Sequence, residues 1–111
     1  MKTEIFTFEA TNYTIIIGQN AQENTEIVTN ASQHDIWFHV ENSPSCHVLL
    51  KVQDKTKLPI QVLKRCAYLC KIHSKAKYEK LSQIIYTRAC NVIPTLIQGK
   101  VQTTDCKVLR C

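Results

Sequence analysis

"DIWFHVENSPSCHVLLKV", residues 35–52, decides how this chain folds. In its first part polar and apolar residues alternate with the two-residue period of a strand, so Ile36, Phe38 and Val40 share one face while Asp35, Trp37 and His39 share the other. "ENSPS" supplies turn residues. "CHVLLKV" then resumes the alternation, with His47, Leu49 and Lys51 opposite Cys46, Val48, Leu50 and Val52. Strand, turn and strand predict a central hairpin.

Outward from it, "TEIFTF" and "YTIIIG" flank the turn-like "EATN" and predict a hairpin at the start of the chain. In "NAQENTEIVTNAS", Asn20 with Glu23 three residues on forms a capping-box-like pair that predicts a short helix. Pro59 opens the strongest helical pattern, "PIQVLKRCAYLCKIHSKAK". Its spacing puts Val62, Cys66, Leu69, Cys70 and His73 on an inner stripe, and Gln61, Lys64, Arg65, Tyr68, Lys71 and Lys75 on a basic outer one. "SQIIYT" predicts a further strand and "GKVQTTDCKVLRC" a closing hairpin around "TTD". Strands dominate and helices are inserted between hairpins. The expected class is α+β, a mainly antiparallel sheet with helices packed on one side, in a single domain spanning residues 1–111.

The 111 residues, 44% hydrophobic and 21% charged, contain no apolar run near the roughly 20 residues that cross a bilayer. The N-terminus lacks the apolar core of a signal peptide, which predicts a cytosolic or otherwise reducing compartment and no membrane partner. Six cysteines in a chain this rich in Ile, Leu and Val are expected as free thiols. Cys66, Cys70 and His73 share helical spacing, yet no C-x2-C pair supports zinc, so no metal or other cofactor is expected. The net charge of +5 conceals a skew. Residues 1–50 carry Lys2 against six acids, a balance of −5, whereas residues 51–111 carry thirteen bases against Asp54, Glu79 and Asp105, a balance of +10. Such a skew suits a face that meets phosphate, or a solvated lysine-rich surface.

The chemistry concentrates between Asp35 and His47. Trp37 and His39 offer a flat surface for a stacked base. Alternatively, Trp37 packs under a helix while Asp35 and the histidines hydrogen-bond and fix the turn. Asp35, His39 and His47 are also a donor set that suits zinc or iron. Ser74 or Cys46 with a histidine base would suit hydrolysis, but neither has a nucleophile turn or oxyanion signature. Ser74 with Lys75 and Lys77 is set to meet phosphate or to end a helix.

"GQNAQEN", "DIWFHVENSPSCHVLL", "HSKAK" and "IIYT", in this order, resemble the NFACT-R domain, the RNA-binding module of ribosome quality-control NFACT proteins, over essentially the whole chain. The chain departs from the family pattern at Gln19, at Ser45–Cys46 and after Arg88. The resemblance implies a non-enzymatic RNA-binding module for tRNA or ribosomal RNA, with DNA, the ribosome or a protein as further partners. A protein-interaction adaptor without RNA affinity is the alternative, and a metal-dependent hydrolase a more distant one. The expected contacts are Asp35, Trp37, His39 and His47 on the hairpin, with Lys64, Arg65, Lys71, Ser74, Lys75, Lys77 and Arg88 supplying the basic surface.

Overall fold

The structure is a computed structural model that describes residues 1–111. Strands β1 (Lys2–Phe8) and β2 (Thr11–Ile17) form the first hairpin, turning through Glu9 and Ala10, whose φ angles of 49° and 64° are those of a tight two-residue turn. After α1 (Ala21–Thr29) come β3 (Ile36–Val40) and β4 (Val48–Leu50), then α2 (Ile60–Ile72) and a 3-10 turn at Lys75–Tyr78. The chain closes with β5 (Gln83–Arg88), β6 (Val92–Pro94), β7 (Val101–Thr103) and β8 (Lys107–Arg110). Six strands form one antiparallel sheet in the order β1-β2-β4-β3-β5-β8, and β6 and β7 form a separate ribbon. The class is α+β, as the hairpin patterning predicts.

Alternation along β3 divides the core. Ile36, Phe38 and Val40 join Ile15, Ile17, Val48, Leu50 and Ile84 beneath Val62, Cys66, Leu69 and Cys70 of α2. Trp37 and its cross-strand partner Leu49 point the other way and meet Ile27 and Val28 of α1 and Val92 of β6. The two helices therefore lie on opposite faces of the sheet, not on one. The reason is β3 itself: Trp37 is large enough to require an apolar cover of its own, since each fully buried large side chain stabilises by about 1.5–3 kcal/mol.

The end of the chain also differs from expectation. Val101–Thr103 pairs with β6, and Lys107–Arg110 pairs with β5, so the segment around "TTD" joins two separate ladders and is not a hairpin turn. Strand β5 had an unpaired edge with Ile84 and Tyr86 to match, and Leu109 fills the position opposite Ile84. Helix α2 stops at Ile72, short of "HSKAK", because Ser74 caps the following 3-10 turn by accepting from Ala76 N at 3.1 Å. With the helix ended there, His73 is exposed, whereas Lys71 is buried and donates its Nζ to the backbone oxygen of Cys111 at 2.7 Å. The expected stripes exchange these two residues.

Candidate nucleic-acid interface

Three rings meet where β3 and β4 diverge. His39 stacks on Trp37 with centroids 5.6 Å apart and planes 14° from parallel, and His47 sets its ring edge-on to both, 5.3 Å from Trp37 and 5.2 Å from His39. Trp37 and His47 are almost wholly buried, leaving the half-buried His39 as the outer member of the stack. The position of His47 has a backbone origin. Its N–H donates to Asn24 Oδ1 at 3.0 Å, its carbonyl accepts from Gly18 N at 2.9 Å, and a Cβ on Gly18 would collide with that same Asn24 side chain.

The rings form the inner wall of a cleft of about 950 Å³. One side is the loop Asn42–Cys46, held by Val40 N donating to Ser45 Oγ at 3.1 Å. The second is the 3-10 turn with Ser74, Lys75 and Lys77, and the third is the β6–β7 ribbon with Gly99 and Lys100. Gly99 N donates to Thr25 Oγ1 at 2.8 Å, and with φ at 80° and a Cβ that would sit 3.0 Å from Ala21, this position requires glycine. Glycine here brings Lys100 to the rim. The cleft is lined by Lys75, Lys77, Lys100, His39, His47 and His73, and by none of the nine Asp and Glu residues of the chain.

Charge and ring chemistry separate within it. Burial holds the His39 imidazole below its ordinary pKa, opposed by its hydrogen bond to Val40 O and reinforced by the nearby Lys100. Nδ1 of His39 lies 2.6 Å from that carbonyl, so the neutral ring donates there and leaves Nε2 with its lone pair. Burial, then the neighbouring His39, pushes His47 down to about 3. Near pH 7 the inner wall is thus uncharged and the rim is cationic. Trp37 Nε1 and His47 Nδ1 are buried without a hydrogen-bond partner, an unmet polar demand at the base of the cleft.

Because the unfolded chain protonates His47 near pH 6.5 and the folded chain only near 3, the folded state is fully stabilised above about pH 6.5 and loses stability as pH falls through that window. Between pH 7 and pH 5 the expected loss from this group is about 2 kcal/mol. Urea unfolding at both pH values should show it, and the difference should shrink in His47→Gln; an unchanged difference would assign the acid sensitivity elsewhere.

The sequence-selected residues divide in two. Trp37, His39, His47, Ser74, Lys75 and Lys77 converge on the cleft. Asp35 does not: it is fully buried and accepts from Ser32 N at 2.8 Å, Val52 N at 2.8 Å and Lys51 Nζ at 2.6 Å, a saturated anchor that presents nothing to a ligand. Four residues along a strand also place it roughly 13 Å from His39, so the Asp35–His39–His47 metal triad is not assembled. Arg65 forms a two-pronged ion pair with Glu4 at 2.8 Å, and Arg88 donates to His34 O at 2.7 Å; both are tied to the fold, as Lys71 is. Lys64 is exposed on α2, away from the cleft. The basic helix face and the hairpin are therefore not one surface. Lys100 and Asn24 escaped sequence reasoning because only the folding of the β6–β7 ribbon and α1 over Trp37 brings them in.

A family model described as the NFACT protein RNA binding domain matches residues 2–104. The chain belongs to this family. An NFACT RNA-binding domain is an RNA-binding module and not a catalytic one at the level of the family. Among curated proteins, this NFACT domain is 39% identical over 68 residues to Coiled-coil domain-containing protein 25 of Mus musculus, covering 59% of the chain and 33% of that protein. It is 30% identical over 88 residues to the Rqc2 homolog RqcH of Bacillus subtilis (strain 168), covering 78% of the chain and 15% of that protein. The chain thus spans a third or less of these relatives. Among solved structures, the C-terminal part of the fibronectin/fibrinogen-binding protein from Streptococcus suis superposes with a TM-score of 0.84 at 26% identity, over 99% of this chain and 45% of that one. No helix is long and apolar enough to cross a membrane.

Proposed function

We propose that the cleft between the Asn42–Cys46 loop, the 3-10 turn and the β6–β7 ribbon binds RNA, with tRNA or ribosomal RNA as the ligand class and ribosome quality control in the cytoplasm as the setting. The observation that carries this reading is the lining: three lysines and no carboxylate around an uncharged cluster of rings. Lys75, Lys77 and Lys100 neutralise backbone phosphates, while an unpaired base lies against His39, the accessible end of the Trp37 stack. Family membership and the RqcH relative support the same class of ligand.

The module is non-enzymatic. Ser74 Oγ is committed to Lys71 O at 2.7 Å and to Ala76 N, and Asp35 is held by Ser32 N, Lys51 Nζ and Val52 N, so neither is set beside a histidine base for hydrolysis. A second reading, a protein adaptor, is favoured by one observation. A separate cleft of about 740 Å³ is lined by Ile36, Leu58, Leu63 and Tyr86 together with Lys57, Arg88 and Lys107, against the single carboxylate of Asp105. That arrangement suits an acidic, partly apolar peptide.

His39→Ala distinguishes the readings. A base stacked on an aromatic contributes about 1–3 kcal/mol, so affinity for single-stranded or loop RNA should fall roughly tenfold or more while the melting temperature changes little. Fluorescence anisotropy with a labelled RNA, beside a thermal melt of the same samples, reads both. Lower stability with unchanged affinity in the folded fraction would make His39 a structural residue only.

A further inference from the structure

Cys46 and Cys70 are arranged as a pair. Cys46 ends the cleft loop and lines the cleft, whereas Cys70 lies in the last turn of α2 directly behind it. Each thiol donates to the other residue's carbonyl: Cys46 Sγ to Cys70 O at 3.6 Å, and Cys70 Sγ to Cys46 O at 3.6 Å. This reciprocal contact sets each sulfur against the other residue's backbone. Hydrogen bonding to Cys70 holds the Cys46 thiol below its ordinary pKa, while hydrogen bonding to Cys46 and burial push the Cys70 thiol well above it. Ser45 Oγ lies 3.9 Å from Cys70 Sγ. None of the other four cysteines makes such a contact: Cys66 is sealed in the core, Cys90 and Cys106 are exposed, and Cys111 is partly buried just after β8.

We propose that Cys46 and Cys70 are a reversible thiol pair, in which Cys46 is the site attacked by hydroperoxides and Cys70 resolves the product to an internal disulfide. Cys46 is the member of the pair that lines the cleft, with 8% of its surface accessible, and Cys70 has none. In the first step the Cys46 thiol gives its proton to solvent and the sulfur attacks a peroxide oxygen. The S–O bond forms, the O–O bond breaks, two electrons pass from sulfur to the peroxide, and the departing alkoxide or hydroxide takes up a proton. In the second step Cys70 sulfur attacks the Cys46 sulfenic acid. The S–S bond forms, the S–O bond breaks, and water leaves with the thiol proton of Cys70. The bridge fastens the cleft loop to the end of α2, so oxidation acts on a wall of the cleft without touching its lysines.

The 111-residue Cys90→Ser/Cys106→Ser/Cys111→Ser chain, folded and treated with hydrogen peroxide, tests this without altering the pair. The expected result is a loss of about 2 Da in intact mass, reversed by dithiothreitol, with one bridged peptide joining Cys46 to Cys70, Cys66 left as a thiol, and an upward shift in Tm. In Cys70→Ala, oxidation should stop at an oxygen adduct on Cys46 and the bridge should be lost. If Cys70→Ala does not fold, the peptide map of the parent chain decides alone. A bridge through Cys66, overoxidised Cys46 beside free Cys70, or no change in folded protein under conditions that oxidise the urea-unfolded chain would overturn the proposal.

Discussion

Replacing Lys75, Lys77 and Lys100 together with alanine should lower RNA affinity roughly a hundredfold at about 0.15 M salt and reduce the slope of log K against log salt by about 2–3 units. Each phosphate contact contributes about 0.7–0.9 to that slope, and three such contacts between about 1 M and 0.15 M salt amount to about two decades. The three side chains are exposed, so the variant should melt close to the parent. Lys55→Ala/Lys64→Ala/Lys107→Ala is the matched control. It removes the same charge from exposed positions outside the cleft and should change affinity far less. Equal losses in the two triple variants would mean that net charge, and not the cleft, attracts RNA.

Trp37→Ala is expected to cost about 3–5 kcal/mol of stability, a large part of the roughly 5–15 kcal/mol available to a domain of this size. Trp37 is the largest side chain of the cluster that holds α1 and β6 on the sheet, with Ile27, Val28, Leu49 and Val92 around it, and its upper face supports His39. Removing it empties the centre of that face. Trp37→Phe keeps a ring and discards the unpartnered Nε1–H, so it should cost under about 2 kcal/mol. Urea denaturation measures both variants. A Trp37→Ala chain that loses less than about 1 kcal/mol would show that α1 and the β6–β7 ribbon are held by something other than this cluster.

The alternation of "DIWFHV" was sufficient to place Phe38 and Trp37 on opposite faces of a central strand, and the spacing after Pro59 marked the helix that covers Phe38. Both are periodic, local signals. Asn20 and Glu23 were legible for the same reason: Glu23 N donates to Asn20 Oδ1 at 2.9 Å, with the reciprocal bond going to Gln19 N. What sequence could not supply were long-range choices. Lys107–Arg110 could pair with its neighbour in sequence or with the open edge of β5, and only the match of Leu109 to Ile84 in three dimensions selects the second. Lys71 and Lys75 look alike on a helical wheel, yet one is drawn inward by the Cys111 backbone oxygen and the other lies beyond the helix end, at the cleft. Asp35, chosen for its chemistry beside two histidines, is instead an anchor for the segments that flank β3 and β4, because three donors converge on it.

Titration of the isotope-labelled chain with an unlabelled tRNA or ribosomal RNA fragment, followed residue by residue in amide NMR spectra, tests the central claim most directly. The account predicts that shifts concentrate on Asn42–His47, Ser74–Lys77 and Gly99–Val101, the three sides of one cleft, and that they fade as salt is raised. Shifts gathered instead around Lys57, Ile60, Arg88 and Lys107, or no shifts with any RNA, would contradict it.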